Sequence, residues 1–259
     1  MQILLTIAYD GTAYAGWQRQ QNAIAVQQRL EEALAALLNQ PITIRTASRT
    51  DAGVHALGQR GAFFVEDLRI PVGKLPQVLC SYLPTDIAVT AAQVVSDDFN
   101  PRFDAAFKTY AYNFYSASSP NPLLRRYSAY VPQPLNIDAM KKAAGVFVGR
   151  QDFAAFQATG SSAKTTVREV YACDISCQPS GLITLTITGN GFLYNMVRII
   201  AGTVLYTGLG KIAPEAIPDI IQSKDRTKAG KTMPPEGLTL LEVSYEQYKP
   251  PVPVQSAYL

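Results

Sequence analysis

Residues 46–58 read Thr-Ala-Ser-Arg-Thr-Asp-Ala-Gly-Val-His-Ala-Leu-Gly, and the group in this string best suited to chemistry is the carboxylate of Asp51. Arg49 and Thr50 set a cation and a hydroxyl before it. Ala52 and Gly53 follow, small enough to let another molecule approach closely. By composition alone Asp51 could equally be a turn residue, so its weight depends on what else the chain offers. His55 is the sole imidazole, so any Ser-His-Asp or Cys-His relay must use it. It would touch Asp51 only in a helix, which Gly53 disfavours, and it reads better as a hydrogen-bonding loop histidine. Cys80, Cys173 and Cys177 show no repeated spacing. Nothing beside Cys173 and Cys177 supplies the further ligands that zinc requires, and the sparse odd count argues against a disulfide framework. Gly208-Leu-Gly210-Lys211 lacks the frame of a phosphate loop, and Gly189-Asn-Gly191 lacks the third glycine of a dinucleotide fingerprint. The His-x-Glu and Pro-Cys-x-x-Cys strings of zinc deaminases do not occur. What remains is chemistry around a carboxylate, with no metal and no cofactor expected.

Other residues could serve such a carboxylate. Arg49 reads as a phosphate clamp, a support for the loop or an ordinary surface arginine. Tyr110 lies in a strand-like run and is either a core aromatic or a platform on which a base stacks. In the helical pattern after Gly191, Leu193, Met196, Val197, Ile200 and Val204 form a core stripe, while Tyr194, Asn195, Arg198 and Gly202 share another face. Arg198 is therefore either one exposed Arg of an amphipathic helix or a cation reaching a cleft, where it needs an acid partner. Asp51 is the partner the sequence offers. Lys224, Arg226, Lys228 and Lys231 form a basic loop, by default solvated and alternatively in contact with phosphate.

The elements that must position these groups follow from periodicity. Ile3–Tyr9 reads as a strand, Val26–Leu38 as a helix ended by Pro41, Ile42–Thr46 and Gln59–Val65 as strands. A short helix follows from Pro71 to Tyr82, then a strand over Ile87–Val95. The order then repeats: a strand over Phe107–Tyr115, a helix over Ile137–Val148, strands over Thr166–Cys177 and Leu182–Thr188, a helix from Gly191 to Tyr206 capped by Asn190, and a strand over Leu238–Tyr245. A smaller helix, disturbed by Pro218, is expected near Ala213–Gln222. Two β-α-β-β-α-β runs predict an α+β fold of two ferredoxin-like halves, 1–100 and 101–259, with antiparallel sheets around a central cleft. With 47% hydrophobic and 17% charged residues, the 259-residue chain can bury a large core. Its net charge of +3 permits a polyanionic partner without requiring one. No apolar run reaches the ~20 residues of a bilayer span, so a soluble, cytoplasmic protein is expected.

The string Ala47-Ser-Arg-Thr-Asp51-Ala-Gly-Val-His-Ala56 resembles the active-site motif of the tRNA pseudouridine synthase A family. Tyr9-Asp-Gly11 with Gly16-Trp-Gln18 is similar to that family's N-terminal signature. Lys108-Thr-Tyr110-Ala-Tyr112 is similar to its second motif, Gly191-Phe-Leu-Tyr-Asn-Met-Val-Arg198 to its third and Pro234-Pro-Glu-Gly-Leu238 to its last. The matches keep the family's order across nearly the whole chain. Asn195 departs from the pattern where His is common, and Thr239 where Tyr is common.

The resemblance implies the pseudouridine synthase fold. It also implies cofactor-free isomerisation of uridine to pseudouridine at positions 38, 39 and 40 in the anticodon stem-loop of tRNA, by a homodimer. On that analogy Asp51 is the catalytic carboxylate, Tyr110 stacks on the target base, and Arg198 pairs with Asp51. Arg49 helps hold the surroundings of the flipped nucleotide open, and Leu238 packs against the base. Two rival readings are a non-enzymatic protein built from two RNA-recognition units and a small-molecule lyase using the same carboxylate. The first lacks the Lys/Arg-Gly-Phe/Tyr strand such units carry, and the second leaves the aromatic and basic features without a task.

Overall fold

A computed structural model describes residues 1–161 and 163–249. Ten strands form one sheet, and the chain order of its elements is read most simply as two successive units. The first holds β1 (Gln2–Tyr9), α1 (Val26–Leu38), β2 (Arg45–Thr46), β3 (His55–Phe64), α2 (Leu75–Leu79) and β4 (Ile87–Val95). Helix α1 forms because Val26, Leu30, Ala33 and Leu34 recur on one face, which is buried. It stops at Leu38, where Asn39 turns left-handed at φ 53°, a conformation Asn tolerates, and Pro41 two residues on could not have continued it. The expected helix over 71–82 is a 3₁₀ turn at Val72–Lys74 followed by the five residues of α2.

The second unit begins with β5 (Phe107–Ser116) and β6 (Ala129–Val131), followed by α3 (Ile137–Val146) and β7 (Gly149–Asp152). It continues with β8 (Val167–Cys177), β9 (Leu182–Gly189), α4 (Met196–Gly208), α5 (Ile217–Ser223) and β10 (Leu238–Ser244). Two expectations are corrected here. Residues 191–195 are not helical: α4 starts only at Met196, and Asn190 does not cap it but accepts the Glu169 amide on its side-chain oxygen. Pro218 does not disturb α5 either, because it sits in the first turn, where its missing N–H costs nothing. Strand β3 also starts earlier than periodicity suggested, at His55, since Leu57, Gly58 and Gln59 continue the extended run.

Strand order shows the duplication directly. The first unit pairs as β4-β1-β3-β2 and the second as β10-β5-β9-β8, the same relative order in both. Within each unit these neighbours are antiparallel. The two units are fused into one sheet through a short parallel seam between β10 and β3, Thr239 opposite His55 and Leu240 opposite Ala56. Strand β2 occupies the same edge of β3 further along, at Gly61 and Ala62. The connection from β2 back to the start of β3, residues 47–54, therefore runs along the edge of β3 toward the seam. That connection carries Asp51.

The helix-covered face of the sheet holds the main core, with Trp17, Phe63, Tyr112, Phe114, Phe147, Phe153 and Phe156 fully buried. Among the described residues no helix is long and apolar enough to cross a membrane.

Candidate active site

The segment around Asp51 is held by backbone and side-chain hydrogen bonds from both units. The Ala47 amide donates to the Arg60 carbonyl at 2.9 Å. The Ser48 carbonyl accepts from Gln59 Nε2 at 2.7 Å and from Thr46 Oγ1 at 3.0 Å. Thr50 is buried, with its hydroxyl 2.7 Å from Tyr9 Oη and its carbonyl accepting from the Trp17 amide at 3.1 Å. The Val54 amide closes a turn onto the Asp51 carbonyl at 3.1 Å, and Gly53 takes φ +79°, which favours glycine. Gly11 and Gly16 explain the N-terminal signature physically. A β-carbon on Gly11 would overlap the Val54 carbonyl, and one on Gly16 would crowd the Thr50 carbonyl. Both glycines let the first connection lie directly against the Asp51 loop.

From the second unit comes Arg198, in the first turn of α4. Its Nη1 donates to Asp51 Oδ2 at 3.1 Å and to Asn195 Oδ1 at 2.7 Å, while Nε donates to the Met233 carbonyl at 2.7 Å. The Arg198 side chain is 15% exposed and that of Asp51 32%, so the pair is partly shielded from water. The first turn of a helix disfavours a cation and favours an anion; the Asp51 carboxylate offsets the misplaced charge of Arg198. Asn195 takes φ 59°, where a short polar side chain costs less than a larger one, and from there its oxygen faces the guanidinium. The Met233 carbonyl is held close because Gly202 and Gly230 bring the 229–233 segment against α4, with the Gly230 amide donating to Thr203 Oγ1 at 2.8 Å.

Tyr110 stands on β5, and its hydroxyl meets Ser48 Oγ at 3.0 Å, three positions before Asp51. Its ring packs edge-on against Phe192 at 5.2 Å. Burial pushes its pKa up to about 12; the Ser48 hydrogen bond works against that shift and the Asp51 charge adds to it. The phenol is thus neutral at ordinary pH. Of the two readings the sequence left open, the structure shows the buried aromatic, 6% exposed, with its polar tip on the Asp51 loop.

Other sequence-derived candidates fall differently. Arg49 is exposed and makes no hydrogen bond or ion pair among the described residues. Leu238 is buried opposite Tyr112, whereas the residue opposite Tyr110 is Leu240, which the motif reading passed over. Register, which no local residue pattern reveals, separates the two. Ser48 and Phe192 lie inside the quoted motifs and Asn195 on the face given to Arg198, yet the contacts they make were not foreseen from sequence. His55 does not touch Asp51. Its Nδ1 accepts the Gly11 amide at 3.0 Å and its Nε2 lies 2.7 Å from the Arg126 carbonyl. Asp10 Oδ1 lies 3.1 Å from Nδ1, but the Gly11 amide occupies that lone pair, so we read a contact and not an ion pair. In the basic loop Lys224 pairs with Asp152 at 2.8 Å, and Arg226 donates to the Gly230 carbonyl and Thr232 Oγ1. Of the four cations, Lys228 and Lys231 stay exposed without such partners among the described residues.

An acid from one unit, clamped by a guanidinium and flanked by a buried phenol from the other, matches the motif set in which the sequence resemblance lay. A family model described as tRNA pseudouridine synthase matches residues 5–104 and 143–246. The chain belongs to that family. A tRNA pseudouridine synthase A of Ruminiclostridium cellulolyticum is 46% identical over 244 residues, covering 94% of this chain and 99% of the relative. Those of Caldicellulosiruptor bescii and Geotalea uraniireducens are 49% and 46% identical, with the same coverage of both chains. Among solved structures, "Crystal Structure of a Cbf5-Nop10-Gar1 Complex" aligns at 12% identity and TM-score 0.39, over 92% of this chain and 48% of that one, a likeness too loose to carry any inference. Membership makes the protein an isomerase of the tRNA pseudouridine synthase family with the α+β fold of that family.

Within a pseudouridine synthase the Arg198 fork can be tested separately from its charge. A guanidinium meets the Met233, Asn195 and Asp51 oxygens through a fixed planar geometry that an ammonium cannot reproduce. Arg198→Lys is expected to lower kcat about a hundredfold with KM for tRNA changed less than about threefold. An unchanged kcat would mean that Arg198 only bridges the two units.

Proposed function

We propose that this chain isomerises uridine to pseudouridine at positions 38, 39 and 40 in the anticodon stem-loop of tRNA, with Asp51 as the catalytic carboxylate and no cofactor. The observation that carries the reading is the 3.1 Å contact of Asp51 with Arg198 beside the Tyr110 hydroxyl, in a member of this family. The reaction breaks the bond from ribose C1′ to uracil N1 and forms one from C1′ to C5. The C5 proton leaves and N1 gains one, so nothing is oxidised or reduced and no phosphate is consumed. Asp51 attacks the nucleoside and holds it while the base turns. Arg198 keeps the carboxylate in one orientation through acceptors that are themselves fixed, which is preorganisation and not strain. Tyr110 stacks on the base and helps the C5 proton leave as a relay, its hydroxyl taking up that proton while passing its own toward Ser48 Oγ at 3.0 Å. Arg49, exposed on the same loop, keeps the surroundings of the flipped nucleotide open, and Leu238, the diagonal neighbour of Tyr110 across the β5–β10 pair, packs at the base.

The resemblance that suggests this specificity also suggests a cytoplasmic homodimer in which each tRNA touches both subunits. The test is direct. Purified protein incubated with an unmodified tRNA transcript should produce pseudouridine at 38, 39 and 40 without added metal or nucleotide, mapped position by position. Pseudouridine confined to another part of the tRNA would refute the anticodon assignment, and a need for an added cofactor would refute the chemistry.

A further inference from the structure

Lys108 is the second residue of β5 and shares a face with Tyr110, as side chains two apart on a strand do. Both reach the loop that carries Asp51. Lys108 Nζ donates to the Ala47 carbonyl at 2.9 Å, next to the Ser48 hydroxyl that Tyr110 meets. An ammonium has three N–H donors, and this one uses a single donor among the described residues. The ion pairs among those residues leave Lys108 out. Burial pulls its pKa down to about 8, and the charges of Arg102 and Arg168 add to the effect. A partly buried cation beside two further cations is unfavourable until an anion joins it.

The neighbouring strand extends the same character. Lys108 is paired with Gly189 of β9, after which the chain runs through Gly191 to Phe192, the residue packed on Tyr110. Arg168 Nε would lie 3.8 Å from a β-carbon on Gly191, and Arg168 forms no ion pair among the described residues. Its Nη1 is spent on the Thr165 and Val167 carbonyls, which fixes the guanidinium in place. With Arg150, Thr165 and Asn190 it lines a cavity of about 180 Å³ in which Glu169 is the one acid.

We propose that Lys108, with Arg168 beside it, binds a phosphodiester flanking the target uridine. The inference rests on the functional reading above and gives that site its grip on the RNA backbone. An RNA phosphodiester fits better than a free anion, because Lys108 and Tyr110 stand about 7 Å apart along one strand, and a nucleotide stacked at Tyr110 brings its own phosphates. Phosphate contacts position a substrate without reading its sequence, which suits an enzyme that must seat more than one uridine in the same site.

The test uses binding, so it is independent of turnover. Lys108→Gln retains an N–H for the Ala47 carbonyl and removes the charge. For an unmodified tRNA transcript, the slope of log affinity against log salt should become shallower by about 0.7–0.9, the loss of one phosphate contact. Lys108→Arg should keep the wild-type slope, and Lys141→Gln on α3 should leave it unchanged. Stem-loop RNAs with one neutral methylphosphonate linkage, 5′ or 3′ of the target uridine, locate the contact. At one of the two linkages wild-type protein should lose about tenfold in affinity, and Lys108→Gln should lose nothing further. The proposal is overturned if neither linkage matters to the wild type, if Lys108→Gln is penalised as much as the wild type, or if Lys141→Gln flattens the slope equally. A slope unchanged in Lys108→Gln with kcat reduced would make Lys108 a brace for the loop and would also overturn it. Failure of the functional reading looks different: wild-type protein would form no pseudouridine in the unmodified transcript, whatever the binding data show.

Discussion

Asp51→Asn should reduce pseudouridine formation by at least about a thousandfold while leaving tRNA affinity within about threefold of wild type. The amide has nearly the shape of the carboxylate, and its oxygen can still accept from Arg198 Nη1. What it lacks is the charge and nucleophilicity that an attacking carboxylate needs. Arg198 would keep its bonds to Asn195 and Met233, so folding stability should change by only about 1 kcal/mol, the scale of one weakened, partly exposed polar pair. Release of tritium from C5 of labelled uridine measures the chemistry, and filter retention measures the binding. Tritium released at the wild-type rate would remove Asp51 from the mechanism altogether.

Gly202→Ala should have the largest effect on the scaffold, and it should spread to the site. In an ordinary helix interior this change stabilises by about 1 kcal/mol. Here the new methyl would overlap the Lys231 carbonyl, a backbone atom that cannot swing aside as a side chain can. The 229–233 segment would have to move, and with it the Gly230 amide bonded to Thr203 and the Met233 carbonyl bonded to Arg198. Overpacking of this kind costs about 1–3 kcal/mol or more. With the lost hydrogen bonds, the net should be about 2–3 kcal/mol, a drop in Tm of roughly 5–10 °C for a chain of this size. Pseudouridine formation at a temperature where the variant is fully folded should fall about tenfold, because Arg198 loses one of its fixed acceptors. A variant as stable and as active as wild type would show that the segment yields freely and that Met233 does not hold Arg198.

Some of this was legible in the residues and some could not be. Helix α1 could be read from its periodicity because one face alone is buried. The start of α4 could not, because Leu193 is buried in the preceding loop and continues the apolar stripe of the helix backward. The signal for the true start is Asn195 in the left-handed region, a conformational fact with no periodicity. Strands β6 and β7 were missed because Ala129–Val131 is too short to alternate and Gly-Arg-Gln-Asp carries no apolar face. The repeated β-α-β-β-α-β order was visible from turns and alternation. The fusion of both units into one sheet was not, since parallel pairing of residues 55–56 with 239–240 leaves no local trace. At the site, Asp51 stood out by its neighbours in sequence and Arg198 by its helical face. Ser48, Lys108 and Leu240 matter through what lies across from them, and register is a property of two strands at once.

The parallel seam has a further consequence, for the order of events during synthesis. Strand β10 lies between β3 and β5, yet it is the last described strand to leave the ribosome. Until it emerges, β3 and β5 have no shared neighbour. Asp51 on the first unit and Tyr110 on the second then have no sheet to hold them together. The β4-β1-β3-β2 unit contains only contacts local to the first part of the chain and can form early; the seam joins residues separated by most of the chain, a pairing that is slow to find. A nascent chain stalled before β10 would therefore carry Asp51, Tyr110 and Arg198 and still lack the strand that joins its two units into one sheet. The last described strand is the one that joins β3 to β5.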